Sequence, residues 1–204
     1  MGAEIDDPPV SLAVNEERGP WSRVFTVAPL AVIGTREPDG GRDLAPKHMV
    51  TPLGRGPYFG FVCTPRHRTL VNAAREGAFT VSFPRPAQVV LASLAASPRD
   101  AEAVKGALAA LPTRPATRVE GVLLEGAHLW LECELAQIVD GFGEDRLVAG
   151  RVVAAAAPAS ALRDPDVDDR ELVAAAPLLA YLAPGRFAEV AVSRAFPFPV
   201  GFSR

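Results

Sequence analysis

The chain has 204 residues, 49% of them hydrophobic, and its 21 basic and 24 acidic residues leave a net charge of −3. That length supports one sizeable core and favours a single domain over residues 1–204, while the charge balance gives no general attraction to nucleic acid or anionic lipid. No apolar run is long enough for a membrane span, and the start, MGAEIDDPPV, carries acidic residues where a signal peptide needs basic ones, so a cytoplasmic protein is expected.

After a polar, extended leader over residues 1–20, Leu30 to Thr35 (LAVIGT) is a short β-branched run followed by the turn chemistry of PDGG, which predicts a hairpin. Tyr58 to Cys63 (YFGFVC) and Ala78 to Phe83 (AFTVSF) read as strands. Between them, Thr69 to Glu76 has a candidate N-cap in Thr69, an apolar face at Leu70, Ala73 and Ala74, and Gly77 as a stop, which predicts a short helix. Ser97, followed by Pro98 and Asp100, predicts a second helix running to about Leu111, ended by Pro112. Ala127 to Val139 alternates with Leu129, Leu131, Cys133 and Leu135 inward, and DGFG leads into a return strand from Arg146 to Ala156. A third helix is predicted from Asp164 to about Ala175, with Asp168 and Asp169 as partners of its dipole, and Phe187 to Ser193 reads as a last strand. Many strands and about three short helices without βαβ alternation indicate a mainly β fold, an antiparallel barrel with helical insertions.

Chemistry concentrates in two segments. TPRHRT gathers Thr64, Arg66, His67, Arg68 and Thr69 directly before a predicted helix, whose free N–H groups and positive dipole end suit a phosphate monoester. A solvated basic turn is the plain alternative. Leu44 to Gly54 sets Lys47, His48 and Thr51 between two prolines, a stiff irregular stretch that offers backbone groups and a cation to a planar heterocycle; alternatively, Met49 and Val50 are core residues and His48 is structural. Lys47 and Lys105 are the only lysines beside 19 arginines. Cys63 and Cys133 lack metal or disulfide spacing and read as small buried side chains. GxGxxG after a strand, GxxxxGK[ST], GxSxG and HExxH are all missing, so the readings that depend on them lose their usual signs, and no metal is expected.

Together, APxxxxxPLG from Ala45 to Gly54, a strand, a basic loop ending in TxxN, and REGAFTVSFP resemble the flavin reductase-like, FMN-binding split-barrel family, with flavoredoxins most similar. ECELAQIVD followed by GRVVAA resembles the family's later hairpin. The resemblance implies an antiparallel Greek-key split barrel that forms a homodimer with FMN near the subunit interface. It implies that Ala45, Pro46, Lys47, His48, Met49, Val50 and Thr51 lie along the isoalloxazine. Cys63, Thr64, Arg66, His67, Arg68 and Thr69, with Asn72 on the helix, are implied to hold the ribityl phosphate. Lys47 and His48 stand where many members carry small hydroxyl residues, and a cation at the ring would raise its reduction potential.

The resemblance further implies an NAD(P)H-dependent oxidoreductase in which NADH or NADPH passes hydride to bound FMN, with no certain catalytic residue. The alternative it implies is an electron carrier that keeps FMN bound and serves a redox partner protein. A barrel-fold interaction protein without flavin is the third reading.

Overall fold

The computed structural model describes residues 8–14, 19–100 and 105–201. The leader has no regular structure over residues 8–14, and its first ordered feature is a 3-10 turn at Pro20–Ser22. Two short strands, β1 (Thr26–Pro29) and β2 (Ala31–Arg36), are followed by β3 (Arg42–Lys47), so the hairpin around PDGG forms where the turn residues predict it. Next come β4 (Val50–Pro52), β5 (Tyr58–Cys63), α1 (Arg68–Glu76) and β6 (Ala78–Phe83). Helix α1 ends as predicted, with Gly77 in the left-handed conformation at φ 67°, but its N-cap is His67 rather than Thr69. Thr69 lies instead on the buried face with Leu70, Asn72 and Ala73.

The helix expected from Ser97 to about Leu111 is not formed. Residues 97–100 are irregular, 101–104 lie outside the described residues, and only a 3-10 turn at Gly106–Ala110 follows. Ion pairs draw this segment out of any helix: Arg99 reaches Glu37 at 2.5 Å and Asp43 at 3.0 Å, and Lys105 reaches Asp43 at 2.8 Å. The second helix is instead α2 (Val89–Leu94), which follows a 3-10 turn at Pro86–Gln88 where the Gln88 side chain accepts from the Arg85 N–H. Proline at the first position and this side-chain cap supply its start.

Downstream, β7 (Thr113–Pro115) and β8 (Val122–Leu124) form a small pair, and β9 (Leu129–Phe142) and β10 (Asp145–Ala156) form the expected long hairpin. Helix α3 (Asp169–Ala175) begins five residues later than expected. Asp164 bends the chain by accepting from the Asp166 N–H, and the cap falls to Asp168, which accepts from the Arg170 N–H. Two more strands, β11 (Leu178–Ala183) and β12 (Arg186–Val190), complete the chain. The last ends short of Ser193 because Val190 already pairs with Leu178, the first residue of β11, and beyond it there is no strand to bond.

Seven strands form one antiparallel sheet in the order β3-β2-β6-β9-β10-β5-β4. Its two edge strands, β3 and β4, are separated in sequence only by His48 and Met49, a stretch that spans about 11 Å at ~3.8 Å per Cα step. The sheet must therefore curl until its edges meet, which makes it a barrel with a seam at residues 47–50. Pro46 and Pro52 are tolerated because each lies on an edge strand. The barrel interior is filled by Ile33, Phe59, Phe61, Phe79, Val81, Cys133 and Val148, with Phe61 and Phe79 edge to face at 5.1 Å. A second cluster, in which Val32 and Leu44 meet Ala92, Ala95, Leu108 and Leu111, fastens α2 and the following segment to the outside of β2 and β3. The remaining sheet, β1-β11-β12, brings Tyr181 onto the ring of His48 at the seam, 4.6 Å between centroids.

Candidate functional site

A cleft of about 440 Å³ lies against the seam, and its walls come from three parts of the chain. Ala45, Pro46 and Lys47 line it from β3; Arg66, His67, Arg68 and Thr69 from the loop and first turn of α1; residues 95–99 and Lys105 from the segment after α2. Both basic segments singled out in the sequence thus meet at one place. The contact between them is explicit: the Lys47 ammonium donates to His67 Nδ1 at 3.2 Å. Lysine has only donors, so Nδ1 must accept and the ring proton belongs on Nε2. Burial, then the charges of Lys47 and Arg66, hold His67 below its ordinary pKa, which keeps the ring neutral at neutral pH.

The other cations divide into two groups. Arg99 and Lys105 are tied to Asp43 and Glu37, and Arg66 pairs with Glu144 at 2.6 Å. Lys47 and Arg68 meet no carboxylate among the described residues. No side chain caps the start of α1; the Leu70 N–H donates to His67 O at 3.1 Å, while the N–H groups of Arg68 and Thr69 meet no acceptor among the described residues and remain available to an anion. In the same loop, Thr64 Oγ1 is buried without a hydrogen-bond partner, although Thr64 does not line the cleft. Two cations without carboxylate partners and an uncapped helix start suit a phosphate monoester.

Residue 48 faces elsewhere. Lys47 ends β3 and enters the cationic cleft, while His48, in the bend that follows, enters a neighbouring one of about 330 Å³ with Leu30, Tyr181 and Phe187. Pro46 and Ala96 line both clefts, so the two are neighbours. Burial, then Lys47, keeps His48 below its ordinary pKa. Tyr181 is held by its hydroxyl, which accepts from the Gly185 N–H at 2.9 Å. The site therefore has a charged end suited to phosphate and an aromatic end suited to a planar ring.

Several expected site residues pack within the barrel. Val50 and Cys63 belong to the interior cluster, and burial pushes the Cys63 thiol up despite Lys47, so it stays protonated. Asn72 is fully buried; its Nδ2 donates to Thr35 Oγ1 at 3.2 Å and its Oδ1 accepts from Arg75 at 3.0 Å, so both ends of the amide are engaged within the fold. Met49 and Thr51 are exposed at the seam. The wall at residues 95–99 and Lys105, and the pair Tyr181 and Phe187, escaped the sequence reading; the scarcity of lysine at Lys105 was the one available signal.

Among the described residues no helix is long and apolar enough to cross a membrane, and no group of acidic, His or Cys side chains is placed to hold a metal. Solved structures with similar folds include flavoredoxin of Desulfovibrio vulgaris (TM-score 0.75, 19% identity, 96% of this chain and 100% of that one). Another is an FMN-binding protein from Thermus thermophilus with bound p-hydroxybenzaldehyde (TM-score 0.70, 23% identity, 97% and 100%). At such identities the likeness is one of fold, the split barrel. An uncharacterized protein of Methanothermobacter thermautotrophicus is 31% identical over 133 residues, a stretch that spans 61% of either chain. A family model described as a flavin reductase like domain matches residues 23–182, most of the chain. With barrel, seam and family model in agreement, the chain belongs to the flavin reductase like domain family.

Proposed function

We propose that the chain binds FMN along the seam and works as an NAD(P)H-dependent flavin reductase-like oxidoreductase. The carrying observation is the cationic cleft, where Lys47 and Arg68 lack carboxylate partners beside the uncapped start of α1. Lys47, Arg68, Thr69 and the Arg68 and Thr69 amides would hold the phosphate, and the adjoining cleft at His48 and Tyr181 offers room and aromatic surface for a ring. When bound, FMN supplies the hydride-accepting chemistry, with NADH or NADPH as the donor. The protein contributes binding, alignment and access, and needs no acid or base of its own. Neutral His67 orients the Lys47 ammonium without cancelling its charge.

The same reading includes a homodimer with the flavin near the subunit interface. It is supported by apolar side chains left in solvent at β1 and β12, including Val27 and Phe187, and sedimentation velocity on the purified chain tests it. For the cofactor and the reaction, the deciding experiment is the absorption spectrum of the purified protein under nitrogen, before and after NADH or NADPH. A flavin band that bleaches with either nucleotide is expected. Colourless protein that does not quench added FMN refutes the cofactor; a flavin band that neither nucleotide bleaches refutes the hydride reaction.

A further inference from the structure

A cavity of about 610 Å³, lined in part by α3, shares no lining residue with either seam cleft. Its volume falls in the range of small-molecule sites, roughly 300–1,000 Å³. Leu172, Leu178 and Phe196 give it an apolar wall, Phe196 from the segment that follows β12. The charged lining is only partly balanced. Arg163 is tied to Asp169 through two hydrogen bonds of 2.9 and 2.7 Å, and Asp168 is occupied in capping α3. Arg170 and Arg194 line the same cavity with guanidinium groups that meet no carboxylate among the described residues.

His128 completes the wall. Its backbone N–H is fixed to Phe83 O at 2.7 Å, its ring forms part of the wall, and its Nδ1 is buried without a hydrogen-bond partner. Burial, then the charge of Arg85, holds the imidazole below its ordinary pKa, so it is neutral at neutral pH and can accept or donate one bond.

We propose that this cavity is a second ligand site, separate from the seam, for a small aromatic anion whose ring rests on Leu172, Leu178 and Phe196 and whose acidic group meets Arg170 and Arg194. A purely apolar ligand would leave the two guanidinium groups unused, and an inorganic anion would leave the apolar wall unused.

The test is isothermal titration calorimetry of the full chain with anilinonaphthalene sulfonate, which joins an aromatic body to one anionic group. One molecule binds per chain, and added FMN leaves that binding unchanged. The double variant Arg170→Ala, Arg194→Ala, checked for folding by far-UV circular dichroism, weakens it about tenfold, the loss expected for a charge-assisted contact. Arg170→Lys with Arg194→Lys restores part of it. No measurable binding, displacement by FMN, or an unchanged constant in the alanine double variant would overturn the site. Binding that appears only on dilution would overturn it too, by showing that a second copy covers the cavity.

Discussion

Replacing Lys47 by alanine tests the cationic end of the seam directly. In the structure this ammonium touches His67 Nδ1 at 3.2 Å and no carboxylate, so its charge is available to a ligand phosphate. A charge-assisted hydrogen bond is worth about 1.5–3 kcal/mol, and the half-buried position of Lys47 argues for the lower part of that range, about 1.5–2 kcal/mol. FMN should therefore bind about ten- to thirty-fold more weakly to Lys47→Ala. Riboflavin, which lacks the phosphate, should bind wild type and variant alike. Quenching of flavin fluorescence measures both constants, and in the same variant the His67 imidazole pKa should rise towards its ordinary value, because one of the charges that lower it is gone. An FMN constant that moves less than about twofold, or a riboflavin constant that falls in parallel, would refute the phosphate assignment.

Two further predictions concern the barrel that carries the site. The buried Glu132 carboxylate accepts from Thr117 N–H and hydroxyl and from the N–H groups of Arg118 and Val119, at 2.5 to 3.2 Å. Burial alone would raise its pKa, but these donors outweigh burial and hold it below the ordinary value. Its contribution to stability is therefore present above the ordinary carboxylate range and is lost as pH falls through the lowered folded-state value. Glu132→Gln should cost about 2–4 kcal/mol in urea denaturation at neutral pH, and the gap from wild type should shrink in acid. At Gly150, a Cβ would lie 2.5 Å from Phe79 Cζ, so Gly150→Ala should destabilise the barrel by about 1–3 kcal/mol in the same assay.

What the sequence disclosed depended on whether local chemistry decided the outcome. The PDGG hairpin and the Gly77 helix stop were legible because turn and cap residues act on their own neighbours. The segment after Ser97 has a helix start in every local respect, yet Arg99 and Lys105 are drawn to Glu37 and Asp43, about sixty residues earlier, and no local signal reports that. The same tertiary pull builds one wall of the cleft, which is why half of the site could be foreseen and half could not. Asn72 shows the opposite effect: it follows Thr69 on one face of α1, and packing turns that face into the core. Lys47 and His48 were both expected along a ring, with Lys47 as the cation. Lys47 ends β3 and His48 opens the bend that follows, and the two enter different clefts, Lys47 beside the anion loop and His48 beside Tyr181.

The partner of Lys47 deserves a test of its own, because orientation and charge make separate demands there. A carboxylate in place of His67 would also hold the ammonium, but it would cancel the charge a phosphate needs. Glu144, Asp43 and Glu37 already do this to Arg66, Lys105 and Arg99. A neutral imidazole with Nδ1 as acceptor orients Lys47 and leaves its charge unbalanced. His67→Gln keeps a neutral acceptor and should hold FMN affinity within about threefold of wild type, whereas His67→Glu should weaken FMN at least as much as Lys47→Ala does. The glutamate also adds a negative charge beside the phosphate, so its penalty should fall as salt is raised. If His67→Glu binds FMN as tightly as wild type, the phosphate does not sit at this loop, and the cationic cleft serves some other anion.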